Sequence, residues 1–389
     1  MSTRFDRSQY LELLSDLVRF ESVNPPGNEA ACAEYVADWL TDHGVDAELV
    51  AEPFPDRPQV AARVGNGDPT VVLNGHLDVV PAGDTSAWTH DPFEATVDDG
   101  AVCGRGTADM KAGIALGMLV TVELAEHIER GDVDGSVVFH AAVGEETAAP
   151  GTRALLDAGY GGDYGVVLEG TGLQTATRSK GLAWYEITVD GEPAHASDPD
   201  AGQNALLASR PVLDAIVDYD QQVRKRRDDL VGRAYATATI ADAGTKENVV
   251  PGRATYTVDR RFLPDETVAD VDDEIDDLLA DVATAHDLDI EWERVRTYES
   301  AASPADSPLA SALREASAAA ADVPTEPWGY TAACDVRFLV NEGGMDAVVW
   351  GPGALAQAHS QDEYVPVVEL DAALAALPRA LLDLFDRAG

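Results

Sequence analysis

The 389-residue sequence predicts an α/β fold, a mostly parallel sheet flanked by helices, with an inserted α+β domain. Short apolar runs at 71–76, 137–142 and 166–169 end in polar residues, with a helical stretch between the first two, the pattern of strands buried on both faces. After Gly172 the segments 183–189 and 254–262 alternate apolar and polar residues, as half-buried antiparallel strands do. Further on the α/β pattern returns. A discontinuous domain, 1–178 with 293–389, interrupted by a second at 179–292, accounts for all three observations.

The elements follow in order. Tyr10, Leu13, Leu14, Leu17 and Val18 repeat at helical spacing, and Cys32, Tyr35, Val36, Trp39 and Leu40 do so after the turn Asn24-Pro25-Pro26-Gly27-Asn28. Both are core stripes. A long helix spans about 110–129. In the insert, helices cover about 205–217 and 268–286. The second turns Val268, Val271, Ile275, Leu278 and Leu279 inward and Asp272, Asp273, Asp276 and Asp277 to solvent. The chain closes with a helix at 308–321, a strand at 347–350 and a helix at 370–385.

Composition bounds the function. Seventy acidic against 27 basic residues leave a formal charge of −43, which disfavours nucleic acid and anionic membranes as partners. Only four of the basic residues are Lys. An acidic, Lys-poor surface suits a salt-loaded cytoplasm, where molar salt screens charge within roughly 3 Å. An acidic patch for one partner is the alternative, but the acidic residues form no dominant block. Three scattered cysteines without C-x-x-C exclude a disulfide framework and a zinc ribbon and fit a reducing compartment. The first 20 residues are charged throughout, unlike a signal peptide, and no run of 18 apolar residues occurs, so a cytoplasmic protein is expected.

Residues able to bind metal or move protons cluster where strands stop, the edge at which α/β sheets bind ligands. His76 and Asp78 lie two apart in extended chain, on one face, so Asp78 can hold the His76 ring. Asp109 opens a helix after Gly104-Arg105-Gly106-Thr107-Ala108; taken alone it reads as an N-cap. The glycine spacing fails the dinucleotide fingerprint. Glu145 and Glu146 are adjacent carboxylates at a strand end, crowded unless a cation or shared proton relieves them. Taken alone they read as a solvated acidic loop. Glu169 ends a third strand, and His359 lies in the loop Gly351-Pro352-Gly353…His359-Ser360. Two imidazoles (His76, His359) and three carboxylates (Asp109, Glu146, Glu169) suit two divalent ions of zinc type with one carboxylate shared.

The order H-x-D, G-R-G-x-x-D, G-E-E, L-E-G and G-P-G…H resembles the M20 metallopeptidase family over nearly the whole chain, including Asn24-Pro25-Pro26-Gly27-Asn28-Glu29. That family holds acetylornithine deacetylases, succinyl-diaminopimelate desuccinylases, aminoacylases and glutamate carboxypeptidases. The resemblance implies a zinc-peptidase-type sheet and two Zn2+ per chain, with Co2+ or Mn2+ as substitutes. His76, Asp109, Glu146, Glu169 and His359 would be the ligands, with Asp109 bridging. Asp78 would orient His76, and Glu145 would be the general base and acid.

The insert resembles the family's lid and dimerisation domain through Gly191…His195-Ala196-Ser197 and Gly202-Gln203-Asn204-Ala205, which implies a homodimer. His195 would then stabilise the oxyanion; without the resemblance it reads as a turn histidine. Asn248-Val249-Val250-Pro251 and Asp259-Arg260-Arg261 match further family segments, making Asn248 and Arg261 candidates for the oxyanion and the substrate carboxylate. A turn and a strand-end ion pair are the plainer readings. Thr331-Ala332-Ala333-Cys334-Asp335 departs from the family's G-G-T-S-D, and the paired arginines of the desuccinylase branch are missing around Ser179-Lys180-Gly181. The expected activity is hydrolysis of N-acyl amino acids, with short peptides as alternative substrates. A catalytically silent binding protein on the same scaffold is the alternative of another class. With no G-x-S-x-G, a serine hydrolase is set aside.

Overall fold

The computed structural model describes residues 4–388, which divide into two compact units. One comprises the described residues up to Arg178, Ala302–Tyr330 and the chain from Cys334 onwards; the other is Ser179–Ala301 with Thr331–Ala333.

In the first unit, helix α1 (Arg7–Val18) starts at Asp6, whose carboxylate accepts from the amides of Ser8 and Gln9 in a capping box. It buries the predicted stripe Tyr10, Leu13, Leu14, Leu17 and Val18, and α2 (Ala30–Asp42) buries Cys32, Val36 and Leu40. Strands β1 (Ala47–Val50), β2 (Gln59–Gly65) and β3 (Thr70–His76) precede α3 (Ala112–Glu129). Then come β4 (Ser136–Ala142), α4 (Gly151–Asp157), β5 (Tyr164–Val167), β6 (Ala176–Ser179), α5 (Pro308–Ala320), α6 (Val336–Asn341), β7 (Asp346–Val349) and α7 (Val367–Ala388).

The sheet runs β1-β2-β4-β3-β5-β7-β6. Its centre, β4-β3-β5-β7, is parallel, and antiparallel pairs flank it. Every residue of β4 is buried, which is why its sequence runs apolar without alternation. Helix α3 is buried from Ala112 through Leu124 and packs into this core as an apolar helix must. It sits so close that a Cβ on Gly113 would lie 2.0 Å from the Leu168 carbonyl oxygen. The helix starts at Ala112 rather than 110. Asp109 (φ −134°, ψ 89°) and Met110 (φ −137°, ψ 38°) are not helical, so Asp109 is no N-cap and its carboxylate stays available.

The second unit is an antiparallel sheet in the order Tyr235–Ala243, Arg253–Phe262, Gly181–Asp190, Asp289–Tyr298. Tyr185, Ile187 and Val258 share a core with Val212, Ile216, Val271 and Ile275 of two helices. The helix expected at 205–217 is split into Ala205–Ala208 and Arg210–Val223, because Pro211 lacks the amide that would continue the first turn. Residue 292, the expected limit of the insert, falls inside Asp289–Tyr298, and this unit continues to Ala301. The acidic face of Val268–His286 is not solely solvated. Asp272 accepts from the Tyr185 hydroxyl (2.7 Å) and Asp276 from the Trp292 indole (3.1 Å). Among the described residues no helix is long and apolar enough to cross a membrane.

A buried polar chain crosses the parallel centre of the first unit. His140 Nε2 lies 2.8 Å from the Tyr160 carbonyl and therefore donates to it, while Nδ1 faces the Asn74 amide at 3.4 Å. Burial lowers the His140 pKa to about 4. The unfolded chain, with an ordinary value near 6.5, takes up the proton first, so this contribution is full above pH 6.5 and is lost as the pH falls towards 4. Urea unfolding of wild type and His140→Gln at pH 7.5 and 4.5 should show a pH-dependent loss smaller by about 2–3 kcal/mol in the variant. Equal losses would contradict a neutral buried histidine.

Candidate metal centre

Parallel register brings the predicted residues to one edge. His76 is the last residue of β3 and pairs with Ala142, the last of β4; Glu145 follows three residues later. Asn74 pairs with Val167, which puts Glu169 level with His76 just beyond β5. His359 comes from the loop after β7, and Asp109 from the extended segment before α3.

Five side chains form two triads that share one carboxylate. His76, Asp109 and Glu169 offer ligand atoms within 4.8 Å of one another, and so do Asp109, Glu146 and His359. Asp109 Oδ1 lies 3.1 Å from His76 Nε2, and Asp109 Oδ2 lies 3.4 Å from His359 Nε2. Glu169 is 3.5 Å from His76 Nε2, and Glu146 is 2.9 Å from His359 Nε2. His359 holds a left-handed backbone (φ 60°), uncommon for a residue with a Cβ, and its ring is half exposed while His76 is buried.

Asp78 acts on more than the His76 ring. His76 Nδ1 is 2.9 Å from the Asp78 main-chain carbonyl and 3.5 Å from its carboxylate. The carboxylate, fully buried, accepts from three successive amides: Gly144 and Glu145 on Oδ1 (3.0 and 3.2 Å) and Glu146 on Oδ2 (3.1 Å). Asn24 adds a fourth donor to Oδ2 at 2.9 Å and also reaches the Thr147 hydroxyl. The Asn24-Pro25-Pro26-Gly27 turn thus buttresses the Glu145–Glu146 loop. Gly144 (φ 82°) enters that loop where a Cβ would lie 2.5 Å from Ala149 Cβ.

Electrostatics distinguish the carboxylates. Burial pushes Glu145 well above the usual range, with His76 opposing and Asp335, Glu146 and Glu169 adding to the rise. Burial and then the Asp109 charge raise Glu146 to about 7, and the same two causes raise Glu169. Asp109 differs. Burial would raise it, yet hydrogen bonds from His359 and His76 hold it below the usual range. Bonds to Asp109 and Glu146 raise His359 to about 10. Burial works against protonation of His76, but Asp109, Asp78 and Glu169 keep its value well above normal. In this arrangement the imidazoles favour the charged form of Asp109, while the other carboxylates stay crowded, a strain that divalent cations relieve with the same donor atoms. Imidazole and carboxylate donors with one shared carboxylate fit two ions of zinc type.

Sequence reading did not find Asn24 as a donor to Asp78, nor Glu363, which accepts from the loop carrying Asp109. It also missed the chain Asn74–Thr152–Asp335, with links of 2.9 and 2.6 Å. Burial raises the Cys334 thiol well above normal, consistent with a packed side chain and not a nucleophile.

The remaining predicted residues lie in the second unit. His195 pairs with Val249, and the Ala196 amide donates to the Asn248 carbonyl at 2.9 Å, so Asn248, in the turn just before the strand Val249–Val250, lies beside His195. Both are exposed. The Ser197 amide donates to His195 Nδ1 at 3.1 Å, which leaves the proton of a neutral ring on Nε2. Arg261 makes a two-pronged contact with Asp259 (2.8 and 3.0 Å), the strand-end ion pair that was its plainer reading.

Asp78→Asn would leave one acceptor oxygen for four donors. In urea unfolding of the metal-free protein it should lower stability by about 1–3 kcal/mol, against about 0–1 kcal/mol for the exposed Asp371→Asn. Equal effects would remove Asp78 as the anchor of the 144–146 loop.

The comparisons with known proteins bear on the family and the fold. A succinyl-diaminopimelate desuccinylase of Hydrogenovibrio crunogenus is 29% identical over 375 residues, covering 94% of this chain and 96% of that protein. An M20 family metallo-carboxypeptidase of Sulfolobus solfataricus superposes with a TM-score of 0.81 at 17% identity, over 98% of this chain and 99% of the other. A dinuclear metal binding M20 peptidase of Bacillus subtilis does so at 0.69 and 17%, over 98% of each chain. The family profile of peptidases M20/M25/M40 matches residues 72–383, so this chain belongs to that family and is a hydrolase acting on amide or peptide bonds.

Proposed function

We propose that the protein is a dinuclear zinc amidohydrolase of N-acyl amino acids, of the acetylornithine deacetylase and succinyl-diaminopimelate desuccinylase type. The observation that carries this reading is the pair of triads sharing Asp109, with Glu145 adjoining Glu146. The desuccinylase relative, aligned over nearly its whole length, supports an acyl amino acid as substrate.

Zinc ions held by His76, Asp109 and Glu169 and by Asp109, Glu146 and His359 would lower the pKa of water and polarise the amide carbonyl. Glu145 takes a proton from the attacking water and passes it to the leaving amine. His195, with its Nε2–H directed outward from the Ser197 contact, and the Asn248 side chain donate to the oxyanion. Arg261 is the candidate partner for the substrate carboxylate, which would exchange with Asp259 for the guanidinium.

Purified protein in molar salt, assayed on N-acetyl-ornithine, N-succinyl amino acids and dipeptides, should hydrolyse the acyl amino acids preferentially. Preference for dipeptides would replace the deacylase reading with a peptidase one. Glu145→Ala should retain both metal ions by elemental analysis and lose activity by about 10²–10⁴-fold. Undiminished turnover would remove Glu145 from the mechanism.

Dimerisation is supported by the second unit's edge strand, Tyr235–Ala243. Every residue from Thr237 to Asp242 is exposed, Ile240 to 63%, which offers a ready template for pairing with a second copy. Light scattering should give twice the 41.2 kDa chain mass, and Ile240→Lys should shift it towards one. A mass of one chain for the wild type would contradict the dimer.

A further inference from the structure

We propose that Glu363 is a positioning residue for Asp109, setting the carboxylate that both triads share; the proposal rests on the dinuclear reading above. The Glu363 side chain is fully buried and both its oxygens are committed to the segment that carries Asp109. Oε1 accepts from the amides of Ala108 (2.8 Å) and Asp109 itself (3.1 Å). Oε2 accepts from the Gly106 amide (3.0 Å) and from the Arg105 guanidinium (2.6 Å). The Glu363 main-chain carbonyl accepts from Gly104 at 2.9 Å.

This one residue therefore receives five donors from 104–109. The segment needs such an anchor. It is not helical at Asp109, and Gly106 (φ 82°) turns where a Cβ would lie 2.6 Å from Val79 Cγ1. Backbone amides in such a stretch have no ladder or helix to satisfy them, and a buried carboxylate fixes several at once. Glu363 also lies four residues beyond His359, so one loop supplies a ligand to one triad and the anchor of the shared ligand. Displacing the Asp109 amide moves its side chain relative to both histidines. Ligand placement on the ångström scale decides metal affinity, and partners that orient ligands typically change it 10–100-fold.

Glu363→Gln keeps the shape but has one acceptor oxygen, so an amide NH2 must face either the Ala108 and Asp109 amides or Gly106 and Arg105. The test compares wild type, Glu363→Gln, Glu363→Asp and the core-cavity variant Leu313→Ala. Two readouts are used: Co2+ affinity with the visible spectrum of the bound ions, and hydrogen exchange of the 104–111 peptide in metal-free protein. Glu363→Gln should bind Co2+ at least tenfold more weakly, with an altered spectrum and faster exchange in 104–111. Leu313→Ala should keep wild-type affinity and exchange in that peptide despite a lower melting temperature. Glu363→Asp, should the Gln variant fail to fold, is expected to show the same changes to a smaller extent. Unchanged affinity and exchange in the Glu363 variants, or an equal affinity loss in Leu313→Ala, would overturn the proposal. If wild type binds no Co2+, the dinuclear reading fails, while exchange in metal-free protein still decides whether Glu363 anchors the segment.

Discussion

Asp109 turns one carboxylate oxygen to His76 and the other to His359, and the remaining features of the site follow from keeping it there. A carboxylate that faces two partners in different directions tolerates little rotation about its side-chain bonds. Its backbone must be fixed, and both imidazoles must be fixed against it. His76 meets that demand as the end of a buried strand with its ring against the Asp78 carbonyl. His359, on a loop and half exposed, is tied by its contacts to Asp109 and Glu146.

The first unit gathers Asp109, Glu145, Glu146 and Glu169 at one sheet edge, and places Asp335 close enough to raise Glu145, with Asp78 in turn acting on Asp335. Such crowding is unfavourable unless charge is compensated. Backbone amides perform part of that compensation: Asp78 accepts from 144–146 and Glu363 from 106, 108 and 109. Each carboxylate is stabilised by the loop it fixes, and each of those loops carries groups of the site. Imidazoles supply the rest, and it is their protons that cations would displace. Rigidity and electrostatics here are one design, in which anions are held by amides so that other anions can be held ready for metal.

Much of this was legible in sequence. Strand runs at 71–76, 137–142 and 166–169 announced a sheet, and polar residues at their ends located its functional edge. His76, Asp109, Glu146, Glu169 and His359 stood in the order of the family motif, and all five meet at that edge. Asn24 lay in a motif that was noticed, but nothing local says that its amide reaches Asp78, 54 residues away. Glu363 was invisible for the same reason: a carboxylate that accepts from a loop about 255 residues distant leaves no periodic trace. The strand Asp289–Tyr298 was missed because its charged residues obscure alternation on a partly exposed edge. Helix Arg210–Val223 began where Pro211 dictated, a signal present in the sequence and passed over.

The central claim is that the clustered carboxylates and imidazoles form one two-ion site. Calorimetric titration of the metal-free protein with Zn2+ at pH 7, repeated in buffers of different ionisation enthalpy, tests it most directly. Two equivalents per chain should bind with release of protons, since His76 and His359 are both held protonated by their carboxylate partners and must lose those protons to ligate. A single equivalent would contradict the shared role of Asp109, and binding without proton release would contradict imidazoles that carry protons in the metal-free protein.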